Sequence, residues 1–98
     1  IKIWNPNDGS LIRTLDGHKD SVTSLAVLPN GYLASGSVDR SVKIWNPNRG
    51  LLIRTLDGHT DYVWSLAVLK DGNLASGSGD GSIILWNLNE NSGLCKKK

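Results

Sequence analysis

Methionine and phenylalanine are missing from this 98-residue chain, and cysteine occurs once, as Cys95. A lone cysteine excludes an internal disulfide framework and offers no thiol cluster to a metal. It suits a reducing compartment, so an intracellular, cytoplasmic setting is expected. Long apolar runs are also lacking. None approaches the roughly 20 residues of a bilayer-spanning helix, and no charged-then-apolar leader opens the chain, so a membrane is not an expected partner. Charge of one sign is scarce too: Lys and Arg total 11 against 9 Asp and Glu, and three of the cations are Lys96, Lys97 and Lys98. That balance is too weak and too local for nucleic-acid binding; the basic end reads as a frayed, solvated tail. The chain opens on Ile1 rather than Met, which reads as a segment of something longer or a processed product.

What is present is glycine, four tryptophans and a repeat. With 39% apolar and 20% charged residues, the composition is that of a globular chain. A shift of 41 residues aligns the sequence with itself: across pairs 1/42 to 41/82, thirty positions are identical and eleven differ. That period lies in the range of solenoids, propellers and arrays. The segments within it are short, rich in β-branched residues and cut by Gly, Asn, Pro and Asp, which excludes helical repeats. One full set comprises "VTSLAVL" (22–28), "YLASGSV" (32–38), "SVKIWN" (41–46) and "LLIRTLDG" (51–58). The connections "PNG", "DR" and "PNRG" are short enough to dictate antiparallel hairpins. "SLAVL" lacks polar alternation and predicts a strand covered on both faces. Ala, Gly and Ser in "LASGS" let another layer approach closely. Sheets covered on both sides are obtained by radial repetition.

The residues "GH" at 17–18 and 58–59, "SGSVD" and "SGSGD" ending at Asp39 and Asp80, and "KIWN" and "ILWN" ending at Asn46 and Asn87 resemble WD-repeat β-propeller blades. The resemblance runs from residue 1 to about 91, with Trp-Asn replacing the family's Trp-Asp in all three copies. It implies an all-β fold of four-stranded antiparallel blades, too few to close a ring alone. On this reading residues 1–17 are the two outer strands of a partial blade and 18–58 a complete blade. Residues 59–98 form a second blade with a degenerate or truncated outer strand at "GLCKKK". Closed propellers have about four to eight blades.

A Ser, a His and an Asp recurring together also invite a hydrolase reading, with Ser35, His18 and Asp39 or Ser76, His59 and Asp80 as the triad. No nucleophile elbow accompanies them, and an active site is rarely copied into every structural unit. The resemblance implies instead that His18, Ser35, Asp39 and Trp45, and likewise His59, Ser76, Asp80 and Trp86, form hydrogen-bonded staples. Leaving such buried groups unpaired would cost about 1–3 kcal/mol each. No metal site is expected, since two His residues 41 positions apart have no zinc spacing and the acids form no calcium loop. No cofactor is expected either, because no phosphate-cradling loop precedes a helix. The chain reads as non-enzymatic.

In a four-stranded meander, successive connections alternate between the two ends of the sheet. Five of the eleven differences fall at the end that holds the Gly-His loops: Lys19/Thr60, Ser21/Tyr62, Thr23/Trp64, Val38/Gly79 and Arg40/Gly81. Five fall at the opposite end, where drift in tolerant loops explains them, and Ile1/Val42 is a conservative change within a strand. At the first end two large aromatics are gained, and exposed Tyr and Trp are frequent interface anchors. Lys19, Ser21, Thr23, Val38, Arg40, Thr60, Tyr62 and Trp64 are therefore the candidate partner-binding residues, with proteins or peptides as partners. Packing of Trp64 against a neighbouring blade is the competing reading. Two alternatives accompany this scaffold reading: copies of the chain closing a homo-oligomeric ring, or a propeller segment of a larger signalling enzyme.

Overall fold

A computed structural model describes residues 1–88; the segment 89–98, with "GLCKKK", Cys95 and the terminal lysines, lies outside the described residues. The strands, in chain order, are β1 (Lys2–Trp4), β2 (Leu11–Thr14), β3 (Val22–Val27), β4 (Leu33–Ser37), β5 (Ser41–Asn46), β6 (Leu51–Asp57), β7 (Val63–Val68), β8 (Leu74–Ser78) and β9 (Ile83–Trp86). They make three antiparallel sheets: a β1–β2 hairpin, a middle sheet β3-β4-β5-β6 and a third sheet β7-β8-β9. The four strands of the middle sheet stop within about a residue of the expected segments 22–28, 32–38, 41–46 and 51–58.

Both sequence copies adopt the same register. Ala34 pairs with Ala26 on one side and Ile44 on the other, and Ala75 pairs likewise with Ala67 and Leu85. One feature escapes a reading by strand alternation. In β3 the register passes from Val22↔Ser37 to Ser24↔Gly36, leaving Thr23 outside the ladder. In β7 it passes from Val63↔Ser78 to Ser65↔Gly77, leaving Trp64 outside it. Such a bulge bends the strand and re-aims the extra side chain.

The core lies between the middle and third sheets. Leu28, Ala34, Val42, Ile44 and Leu56 of the first repeat and its outer strand meet Val63, Leu74, Ile84 and Trp86 of the second, all buried. The inner strands approach closely enough that a Cβ on Gly36 would stand 2.7 Å from Val63 Cγ1. That contact explains the small residue in "LASGS".

Coverage on both faces holds only in part. Val42 is 0% exposed whereas its repeat partner Ile83 is 70% exposed, because no further sheet among the described residues covers the far side of β7–β9. On the opposite flank Leu25 and Val27 are exposed while their counterparts Leu66 and Val68 pack against the core. The β1–β2 hairpin has no inner strands among the described residues, and its Trp4 is exposed.

Candidate interaction surface

The loops after β2 and β6 carry His18 and His59 into the next sheet, where two strands and the turn between them converge on each. In the middle sheet the Trp45 Nε1–H of β5 donates to Ser35 Oγ of β4 at 2.8 Å. Ser35 Oγ lies 2.6 Å from His18 Nε2, and His18 Nδ1 lies 2.8 Å from Asp39 Oδ2. In the third sheet Trp86 Nε1 donates to Ser76 Oγ at 2.8 Å, Ser76 Oγ is 2.7 Å from His59 Nε2, and His59 Nδ1 is 3.1 Å from Asp80 Oδ2. All eight expected members are brought together in two sets of four.

The indole can only donate and the carboxylate can only accept. The set therefore runs one way for a neutral His: indole N–H to serine oxygen, serine O–H to Nε2, and Nδ1–H to carboxylate. Each bond polarises the next. Ser35 and Ser76 are buried, each held between an indole N–H and an imidazole in the geometry of a hydrogen-bonded clamp.

Two further serines belong to each clamp and were missed on sequence. The Ser41 hydroxyl and N–H donate to Asp39 Oδ1 at 2.6 and 2.9 Å, and Ser82 makes the same pair with Asp80 at 2.5 and 2.8 Å. Ser37 Oγ accepts the Asp39 N–H at 3.0 Å and donates to the Ser21 carbonyl at 2.8 Å. The spacing Ser-x-Asp-x-Ser, present in both copies, was the available signal.

These bonds set the charge of the two aspartates. Burial pushes the Asp39 carboxyl up, but donation from Ser41, His18 and the Lys19 N–H outweighs it and holds the group well below the usual carboxylate range. Donation from the Ser82 hydroxyl, followed by the Thr60 N–H, holds Asp80 low in the same way.

The candidate partner-binding residues lie around these clamps, at the end of the sheets that holds the Gly-His loops. Lys19, Ser21, Arg40 and Thr60 are exposed and Val38 is half-buried. Backbone bonds fix the two strand entries: Val38 N–H donates to the Ser21 carbonyl at 2.9 Å and Gly79 N–H to the Tyr62 carbonyl at 3.0 Å. Thr23 differs from the rest, because its hydroxyl donates across the sheet junction to the Val63 carbonyl. Its repeat partner Trp64 stands where no following sheet is described, and it packs edge-to-face with Tyr62, centroids 5.8 Å apart and planes at 74°.

Tyr62 is 43% and Trp64 56% exposed. A Cβ on Gly79 would come within 2.9 Å of Trp64 Nε1 and 3.1 Å of Asp61 Oδ2. The valine of the first copy, Val38, would thus push against this arrangement. Three of the five differences at this end, Tyr62, Trp64 and Gly79, therefore form one packing unit. Beside the first clamp, a polar cleft of about 240 Å³ is lined by Gly17, Lys19, Asp39, Ser41, Lys43, Thr55 and Asp57.

Among the described residues no group of three or more His, Cys, Asp or Glu could hold a metal ion. No helix there is long and apolar enough to cross a membrane.

The family described as WD domain, G-beta repeat, matches residues 9–46 and 50–87. Each matched stretch starts just before an outer strand of one sheet and ends with the Trp-containing strand of the next, so the sequence repeat straddles two sheets. Human striatin is 54% identical over 43 residues, covering 43% of this chain and 6% of striatin. The periodic tryptophan protein 2 homolog of Neurospora crassa is 50% identical over 42 residues, 42% of this chain and 5% of that protein. The chain thus spans a small fraction of the curated relatives it matches. The solved WD40 β-propeller domain of Doa1 superposes with a TM-score of 0.86 at 29% identity, covering 94% of this chain and 31% of that one. The chain belongs to the WD-repeat family, whose β-propellers serve in general as non-catalytic scaffolds for protein interaction.

Proposed function

We propose that this chain is a binding scaffold that docks a protein or peptide at the rim carrying the Gly-His loops. The observation that carries the reading is the exposed Tyr62–Trp64 pair, raised by a strand bulge and seated over Gly79. Large aromatics held in one geometry lose little entropy on binding and dominate interface energies. The frame beneath them is rigid, because each strand entry is tied to a clamp.

Panning a random linear-peptide library on the chain tests this. Enriched peptides are expected to lose at least about tenfold in affinity for a Tyr62→Ala/Trp64→Ala variant, while that variant keeps the wild-type thermal transition. Enrichment that the double variant leaves unchanged would remove the site assignment.

A second reading, self-association, is supported by the flanks. The face that the first repeat buries with Val42 and Leu28 recurs in the second repeat as exposed Ile83 and Leu69. A second copy could cover it much as the third sheet covers the middle one. Light scattering after size exclusion separates a discrete multiple of 10.6 kDa from a monomer.

A further inference from the structure

Two of the five differences at the Gly-His rim change its charge. In the first repeat the segments 19–23 and 38–40 carry Lys19, Asp20, Asp39 and Arg40, two charges of each sign. In the second repeat the matching segments 60–64 and 79–81 keep Asp61 and Asp80 but lose both cations, as Thr60 and Gly81. The same segments gain both aromatics. Trp64 Nε1 and the Asp61 carboxylate crowd the same point above Gly79, so indole and acid form one surface. Tyr62 and Trp64 are both exposed, and their edge-to-face packing occupies one ring face of the pair.

We propose that this rim of the second repeat is a docking site for a cationic, arginine- or lysine-bearing peptide seated on the Tyr62–Trp64 pair beside Asp61. The inference rests on the scaffold reading above and adds the chemistry of the partner. A guanidinium or ammonium over an aromatic face is attracted by the ring quadrupole, and the two carboxylates supply field of the right sign. Asp80 stays ionised under any physiological condition, because Ser82 and the Thr60 N–H stabilise its charged form. In the first repeat Lys19 and Arg40 would repel such a partner, and Ser21 and Thr23 offer it no ring. The surface is thus specific to one of two otherwise near-identical units.

The test uses the library-selected peptides. Those that depend on Tyr62 and Trp64 are expected to carry Arg or Lys, and their binding is expected to weaken as salt is raised. Replacing the arginine of such a peptide by citrulline, which keeps the shape and removes the charge, should weaken binding about tenfold.

A Thr60→Lys/Gly81→Arg variant returns the cations of the first repeat and should cause a comparable loss. The frame accepts both residues, since Arg40 already holds φ 76 where Gly81 holds φ 86. This variant leaves the aromatic pair intact, so the result does not hinge on whether the alanine variant folds. Pair-dependent peptides without cations, or equal affinity for arginine and citrulline forms, would overturn the cationic site and leave the scaffold reading standing. Absence of any pair-dependent peptide would overturn both.

Discussion

At Ser35 and Ser76 a strand indole and a loop imidazole meet one buried oxygen, and removal of that oxygen strands both. Ser76→Ala leaves the Trp86 N–H and His59 Nε2 without their partner. The expected loss is about 1–3 kcal/mol of folding stability, read from a shifted denaturant midpoint; an unchanged midpoint would refute the clamp.

The aspartates give the clamp a pH signature. Asp39 and Asp80 titrate below the usual range in the folded chain and near about 4 when unfolded. The unfolded chain therefore binds more protons in that interval, and stability rises with pH across it. Their contribution is fully present above about pH 4 and is lost as pH falls through the lower folded values. Denaturant midpoints measured on descending pH should fall less steeply for an Asp39→Asn/Asp80→Asn variant; equal slopes would contradict this. The four residues of each clamp were legible only through family resemblance, since a Ser, His and Asp at these spacings fit a triad equally well. In the fold both serines are buried and each also accepts an indole N–H, as the clamp requires.

At the scale of strands, hairpin lengths and β-branched composition made the meander readable. The four segments of the first full copy are indeed β3 to β6. The bulges at Thr23 and Trp64 were not readable, because a bulge is a mismatch between two strands and leaves no mark in either alone. Yet it is the bulge that turns Trp64 out of the ladder, and Gly79 that gives its ring room.

Gly79→Val is therefore expected to displace the indole and split the Tyr62–Trp64 pair without unfolding the sheet. A shift of the Trp64 indole N–H resonance with an unaltered amide pattern in β8 and β9 would report it; an unmoved indole would refute the coupling. In the core, Leu74→Ala should cost about 2–5 kcal/mol, because Leu74 is fully buried between the middle and third sheets.

Across the whole molecule the two repeats share one frame. Identical residues carry the clamps, and ten of the eleven differences among pairs 1/42 to 41/82 collect at the two ends of the sheets. The flanks show what period alone could not: coverage on both faces is a property of neighbouring sheets, not of a strand's own composition. Val42 and Ile83 are near-equivalent in sequence and opposite in exposure for that reason. If copies associate through these flanks, Ile83→Asp should lower the mass seen by light scattering to that of one chain. A multimer that persists would assign the contact elsewhere.

The central claim is that the frame is common to both repeats and recognition resides in the second repeat's rim. Its most direct test gives that rim the residues of the first: Thr60→Lys, Tyr62→Ser, Trp64→Thr, Gly79→Val and Gly81→Arg in one chain. Each already fits the same frame at positions 19, 21, 23, 38 and 40. Titration of library-selected peptides into this variant should show no binding while its thermal transition stays within a few degrees of wild type. Retained binding by a folded variant would contradict the account.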